Sequence, residues 1–550
     1  MKNTKIKFDF WTNISIVIAC LFLLFLIYPL FSLFISGFQN STGQFSLEHF
    51  IKFFTRKYYY KALLNSFMVT ICTTFLVVII GAPLAYLTSA YKIKGKQFLD
   101  ILIIISMLSP AFIGAYSWII LFGRSGVVTK FIESLFGFTM PSIYGFGGIL
   151  IVMTLKLYPF IYLYTTGALK KLDASLIEAA ESLGCSPLKK VSTVVIPLIT
   201  PTILASGLLV FMNALADFGT PMLIGEGFVV MPVLVYNEFI SEVGGTVNFA
   251  AAISVIMVVI TIGVFSLQKY IVNKKSFTMN SLRPIQPKEL KGIHKILAHT
   301  FVYLIVFLSV IPQLTVIFTS FKATKGSVFV PGFSLDSYKT AFSKLGEPIV
   351  NTYIFGFIAI ICVVVLAIFI AYIVIRRKNP LTTLIDSASM LPYIIPGSVL
   401  GITLLLAFNE RPLLLSGTSF IMILAFVVRR LPYTLRSSAA ILYQISPSME
   451  EAAISLGDSS IKAFFKVTVI MMLPGVMSGA IMSWITIINE LSASVILYTA
   501  NTRTMSVTVY TNVIRASYGS AAAVATILTI TTIISLIVFF KVSGKKDIGL

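Results

Sequence analysis

Lys156 and Arg429 sit well inside apolar stretches, and Asp217 and Glu490 sit near the outer ends of two others. An offset of 273 residues carries Lys156 onto Arg429 and Asp217 onto Glu490. Each basic member stands three residues before a proline, Pro159 or Pro432. Charge inside a bilayer is costly and marks either function or pairing. Two uses fit these residues. They line or gate a central pathway, or pair across it. Alternatively they snorkel to the interface, or pair structurally within each half. Metal chemistry is not indicated, because His49, His294 and His299 have no ligand spacing. Cys20, Cys72, Cys185 and Cys362 form no CxxC pair and suggest neither zinc nor redox chemistry. Tyr58-Tyr59-Tyr60 reads as an interfacial aromatic belt rather than as phenolate ligands.

A second pattern recurs outside the apolar stretches. Glu178-Ala179-Ala180-Glu181-Ser182-Leu183-Gly184 returns as Glu451-Ala452-Ala453-Ile454-Ser455-Leu456-Gly457, with six of seven positions kept. Ser175 and Ser448 stand three residues before Glu178 and Glu451, which predicts a capping box at each helix start. Ala-Ala offers a smooth face for close approach of another surface. Gly184 and Gly457 predict a left-handed residue that ends the helix. Each copy is thus a short helix, a sharp turn and a second helix. Two copies suggest two equivalent docking points for a two-fold partner.

The elements that hold these residues are membrane spans. Of 550 residues 57% are hydrophobic and 11% charged, against roughly 25% charged in soluble domains. The mean hydropathy is +0.94. The apolar runs exceed the ~20 residues a crossing helix needs, and lack the alternation of barrel strands. The net charge of +21 does not indicate nucleic acid, because the basic residues flank the apolar runs. Spans are predicted near 11–38, 62–90, 98–122, 146–168, 192–216 and 247–271. A second set lies near 297–320, 349–375, 382–408, 417–443, 464–488 and 519–541. The first is read as an uncleaved span, being too long for a signal-peptide core.

Twelve spans put both termini on one side. With that side cytoplasmic, the segments between the predicted spans hold 22 basic residues on the inner side and 13 on the outer, which favours this orientation. Further matches extend the repeat: Pro201 with Pro474 at an offset of 273, and Asn65 with Asn351 at 286. The fold class that follows is an all-α integral membrane protein of about 12 transmembrane helices. They form two parallel six-helix repeats about an axis along the membrane normal. The expected divisions are 1–270 for the first repeat, 271–296 for a basic, proline-containing cytoplasmic linker, and 297–550 for the second repeat.

The pattern Glu-Ala-Ala, three residues, Gly, then a proline early in the next span resembles the permease subunits of binding-protein-dependent ABC importers, over essentially the whole chain. The first copy carries Pro197 and Pro201; the second has Ile470 and keeps Pro474. The resemblance implies the type I importer permease fold. It also implies that Glu178, Ala179, Ala180, Gly184, Glu451, Ala452, Ala453 and Gly457 form coupling helices seated on cytoplasmic ATPase subunits. Two loops in one chain imply two ATPase copies. No GxxxxGK[ST] loop is present, so the chain is expected to bind no cofactor and not to be an enzyme, with ATP and Mg used by the partner ATPase. An extracytoplasmic substrate-binding protein, membrane lipid and a bacterial cytoplasmic membrane location are likewise implied, and no nucleic acid. Ala216-Asp217-Phe218-Gly219-Thr220-Pro221 and Asn489-Glu490-Leu491-Ser492-Ala493-Ser494 are similar to segments of ferric-iron-type permeases. Thiamine, 2-aminoethylphosphonate and polyamine carriers are related alternatives. The rival class is a twelve-span secondary transporter of the major-facilitator kind. Its glycine- and Asp/Arg-rich loop after the second span is not matched by Tyr91-Lys92-Ile93-Lys94-Gly95-Lys96.

Overall fold

The computed structural model describes residues 9–40, 42–108, 111–138, 140–241, 246–274, 286–326 and 328–543. Nearly all regular structure is helical. A small antiparallel hairpin, Lys322–Lys325 with Val328–Phe333, is an addition the sequence reading did not foresee. Among the described residues ten helices are long and apolar enough to cross a membrane, and a bent pair raises this to eleven. Helix Ser419–Gln444 fills the place of the tenth predicted span and carries Arg429, Arg430 and Arg436. The ninth predicted span, 382–408, is not one straight helix. Segments Pro380–Ile394 and Gly397–Ala407 meet at 114°. The break falls at Ile395, whose ψ of 125° is extended, because Pro396 disfavours helical geometry in the residue before it.

The described chain gathers into two compact units. One contains residues up to Thr55, Val235–Val258 and most of Ser320 onward; the other contains Arg56–Leu234 and Val259–Thr319. Packing therefore does not follow chain order. The first span, Phe10–Gly37, belongs with the later helices. Its Trp11 ring lies 4.3 Å from Tyr372 and 4.8 Å from Phe464, centroid to centroid. Its Tyr28 hydroxyl donates to the Ala407 carbonyl at 3.4 Å. Reciprocally, helix Gly292–Ser320 belongs with the earlier ones: the Ser117 hydroxyl donates to the Pro312 carbonyl at 2.7 Å, and the Tyr158 and Ser309 hydroxyls lie 3.0 Å apart. Residues 275–285, the middle of the expected linker, lie outside the described residues.

Within each unit the most extensive packing joins equivalent helices: Lys57–Ala90 with Phe146–Lys170, and Gly346–Arg376 with Ser419–Gln444. Small residues permit close approach, as is usual where lipid supplies no hydrophobic drive for association. A Cβ at Gly479 would lie 2.8 Å from the Thr434 Cα. After each repeated loop the chain makes a π-helical turn, Val191–Val195 and Phe464–Val469. The second forms although Ile470 stands where the first repeat has Pro197, so that departure does not alter the local geometry.

Candidate functional site

The repeated loop forms nearly the same structure twice. Helices Ala174–Ser182 and Ser448–Ser455 each end in a paired set of backbone hydrogen bonds. Gly184 N–H donates to Glu181 O and Cys185 N–H to Ala180 O, both at 3.0 Å. Gly457 N–H donates to Ile454 O at 3.0 Å and Asp458 N–H to Ala453 O at 3.1 Å. This is the Schellman arrangement, which requires a left-handed residue. Gly184 has φ of +76° and Gly457 of +101°, as their sequence positions predict.

The predicted capping boxes do not form. In the first loop the helix starts earlier, because the Asp173 carboxylate takes the Ser175 N–H at 2.9 Å. Ser175 thus lies inside the first turn. In the second, Pro447 occupies the cap position with φ of −55°, already helical, and no side chain caps it. Ser448 is the first helical residue. A carboxylate in one copy and a proline ring in the other fix the start where serine was expected to.

The surface each loop presents is also repeated. Leu183 and Leu456, just before the glycines, are 85% and 90% exposed. Glu178, Ala179, Glu451 and Ala452 face outward, whereas Ala180 is buried and Ala453 half-buried. Among the described residues neither Glu178 nor Glu451 has a side-chain hydrogen bond or ion pair. Two apolar knobs and two unengaged carboxylates are thus held on rigid turns.

The braces behind the loops differ. In the second, Tyr372 donates to Glu450 Oε1 at 2.5 Å and Thr468 to Oε2 at 2.9 Å. In the first, Glu181 accepts from Lys190 Nζ at 2.5 Å and from Lys288 Nζ at 3.1 Å. These two cations, Lys190 foremost, hold the Glu181 carboxyl below the usual range. Lys288, at the end of the inter-repeat segment, is fixed by its backbone: Lys92 N–H donates to its carbonyl at 3.0 Å, and its own N–H to Ala90 O at 2.9 Å.

The intramembrane charges pair inside each repeat. Lys156, on helix Phe146–Lys170, donates to Asp217 Oδ2 at 2.7 Å. Arg429, on helix Ser419–Gln444, donates to Glu490 Oε1 at 2.6 Å. Both carboxylates follow the end of a span, and both take a backbone N–H three residues on. Thr220 N–H meets Asp217 at 3.0 Å and Ala493 N–H meets Glu490 at 3.1 Å. Each therefore neutralises a cation and also takes one backbone N–H at the start of the short helix that follows, Gly219–Ile224 or Ser494–Leu497.

The sequence reading missed Arg430, which also pairs with Glu490. The signal was present as a second arginine beside Arg429 in a span that should avoid charge. The first repeat has Leu157 at that position. Room for the guanidinium comes from Gly397, where a Cβ would fall on Arg429 itself.

Related sequences occur among known proteins. The family described as binding-protein-dependent transport system inner membrane component matches residues 77–276 and again 363–546. The chain belongs to this family. Its two matches are the two repeats, and the protein is a transport subunit of a membrane-embedded importer. A ferric transport system permease protein of Actinobacillus pleuropneumoniae is 28% identical, over 97% of this chain and 78% of that one. A 2-aminoethylphosphonate transport system permease protein of Salmonella typhi is 26% identical, over 42% of this chain and 81% of that one. A solved bacterial importer of the acidic polysaccharide alginate has 13% identity and a TM-score of 0.39, covering 48% of this permease and 96% of its own chain.

Proposed function

We propose that this permease carries ferric iron inward across a bacterial cytoplasmic membrane, with both termini in the cytoplasm. The observation that supports the cargo is the likeness to a ferric permease along 97% of the chain. An extracytoplasmic binding protein delivers the iron to the outer face. Two copies of a cytoplasmic ATPase, using ATP and Mg, seat on the two repeated loops. Leu183 and Leu456 enter apolar grooves of the ATPases, Ala179 and Ala452 let the surfaces approach, and Glu178 and Glu451 meet basic groups. Burying a leucine is worth about 1.5–3 kcal/mol, so an 85–90% exposed pair is a substantial reserve for docking.

ATP binding draws the ATPases together and moves the loops. Rigid Schellman turns transmit that motion, since they cannot bend without breaking paired backbone bonds. In the second loop the motion passes through Glu450 to Tyr372 and Thr468 in neighbouring helices. The four charges Lys156, Asp217, Arg429 and Glu490 act chiefly as braces that fix the outer ends of the fifth and eleventh spans.

The test is ferric uptake in cells lacking the gene, then complemented with wild type or with the Gly184→Asp, Gly457→Asp double variant. Uptake restored by wild type alone supports both cargo and coupling. Unchanged uptake on deletion, with no second iron importer present, removes iron as the cargo. 2-Aminoethylphosphonate is then assayed next, on the strength of the half-chain match to its permease.

A further inference from the structure

A second duplication lies beyond the paired carboxylates. Met231-Pro232-Val233-Leu234-Val235-Tyr236 returns as Met505-Ser506-Val507-Thr508-Val509-Tyr510, at an offset of 274. Each copy opens a ten-residue helix, Met231–Ile240 and Met505–Ile514. Each helix is held at its start by the same device. Met231 N–H donates to Ser66 Oγ and Met505 N–H to Thr352 Oγ1, both at 2.7 Å. The neighbouring asparagines hold the strand of chain just before: Asn65 Nδ2 donates to Val229 O at 2.9 Å, and Asn351 Nδ2 to Arg503 O at 3.1 Å. The Asn65–Asn351 match in the sequence thus has a structural reason.

The two helices end their shared motif on tyrosines that meet. The Tyr236 and Tyr510 hydroxyls are 3.5 Å apart, with Tyr510 3% exposed. Equivalent residues of two-fold-related repeats touch only near the axis, because each must contact the image of itself. In parallel repeats that axis runs along the membrane normal, the one line on which a cargo meets both repeats alike. A third phenol, Tyr498, stands beside them, with the Arg503 guanidinium 5.8 Å from its ring centroid.

We propose that Tyr236 and Tyr510 are the closure of the transport route, two equivalent phenols that meet near the repeat axis and part when the route opens. Two bulky rings seal the route, and the 3.5 Å contact between their hydroxyls is long enough to part at little cost. The lining offered to cargo during opening is phenolic oxygen. That suits a hard, oxygen-seeking cation and gives no purchase to soft or apolar solutes. The closure rests on the importer reading; the oxygen lining adds to the ferric one.

The experiment uses the permease with its ATPase in membranes, with Cys20, Cys72, Cys185 and Cys362 replaced. Tyr510→Cys and, separately, Tyr236→Cys are exposed from the outer face to a membrane-impermeant maleimide. Labelling is measured without nucleotide and after trapping the ATPase with ATP and vanadate. The expected result is labelling at least tenfold faster in one state than in the other, in both variants, because the positions are equivalent. Equal rates in both states, in either variant, overturn the closure. Ferric uptake by the unlabelled wild-type complex separates the two claims. State-dependent labelling without iron uptake keeps the closure and removes the cargo. Iron uptake with state-independent labelling does the reverse.

Discussion

In the first repeat Asp217 faces one ammonium, that of Lys156, whose side chain is 24% exposed. In the second, Glu490 faces two guanidiniums, Arg429 and Arg430, at 15% and 12% exposure. Both carboxylates are nearly buried and both accept a backbone N–H three residues on. The second site therefore carries one more positive charge in a drier setting and depends on its carboxylate for more. The repeated loops show the opposite distribution. Glu181 braces the first through the ammonium groups of Lys190 and Lys288, and Glu450 braces the second through two hydroxyls. A duplicated chain has kept the geometry at both places and exchanged the chemistry that secures it. At the 273-residue offset Glu181 faces Ile454 and Glu450 faces Ile177, so each repeat kept a different glutamate.

The largest effect is expected at Glu490. Glu490→Gln removes the carboxylate that faces two half-buried arginines, and breaking a buried pair costs about 3–5 kcal/mol. Asp217→Asn leaves one lysine that reaches water on its flexible stem, and should cost clearly less. Thermal unfolding of the two variants in detergent measures the difference. Equal losses would mean that Arg430 adds no burden and that the sites are energetically alike. Gly397→Ala belongs to the same test. The added methyl displaces Arg429 and should destabilise the second repeat alone.

Gly184→Asp and Gly457→Asp come next. Each places a side chain at positive φ, at a cost of about 1–2 kcal/mol, so the protein still inserts. The turn geometry that presents the leucine is lost, and transport-stimulated ATP hydrolysis should fall at least tenfold. A variant in one loop that leaves hydrolysis intact would show the loops to be unequal partners. Leu183→Ala and Leu456→Ala sharpen that point with less disturbance. Each should weaken ATPase binding by about tenfold, from the apolar area lost on docking, as read by titration of the purified ATPase.

The smallest effect separates the two braces. Glu181→Gln removes an exposed ion pair worth about 0–1 kcal/mol, so ATPase activity should shift a little at low salt and not at high salt, where the charges are screened. Glu450→Gln should show the same effect at every salt concentration. The Glu181 carboxyl is held below its usual range by Lys190 and Lys288. Its bracing is therefore complete at neutral pH and is lost only as pH falls through that lowered value.

Much of this was legible in the chain. The repeat and the two glycine turns follow from residue identity and spacing, since local backbone geometry needs only neighbours, whereas the pairing of Lys156 with Asp217 and Arg429 with Glu490 was one of several open uses until the structure brought them together. The capping boxes were misread because a serine and a glutamate three apart cannot reveal that Asp173 or Pro447 starts the helix first. Arg430 was passed over because the first repeat has Leu157 at that position, so comparing the repeats did not single it out. The ninth span was read as straight although Pro392 and Pro396 lie within it, because apolar content alone does not report direction.

By itself the sequence determined the class of the protein: apolar runs long enough to span hydrocarbon, doubled, with two polar loops of one design. Those properties are fixed by transfer free energy and local conformational preference. Only the tertiary structure decided which spans pack together. The first span leaves its own repeat to place Trp11 against Tyr372 and Phe464, and helix Gly292–Ser320 makes the reverse choice. Between apolar helices the hydrophobic effect does not discriminate in lipid. Partners are chosen by shape and by a few hydrogen bonds, and those exist only once the side chains meet.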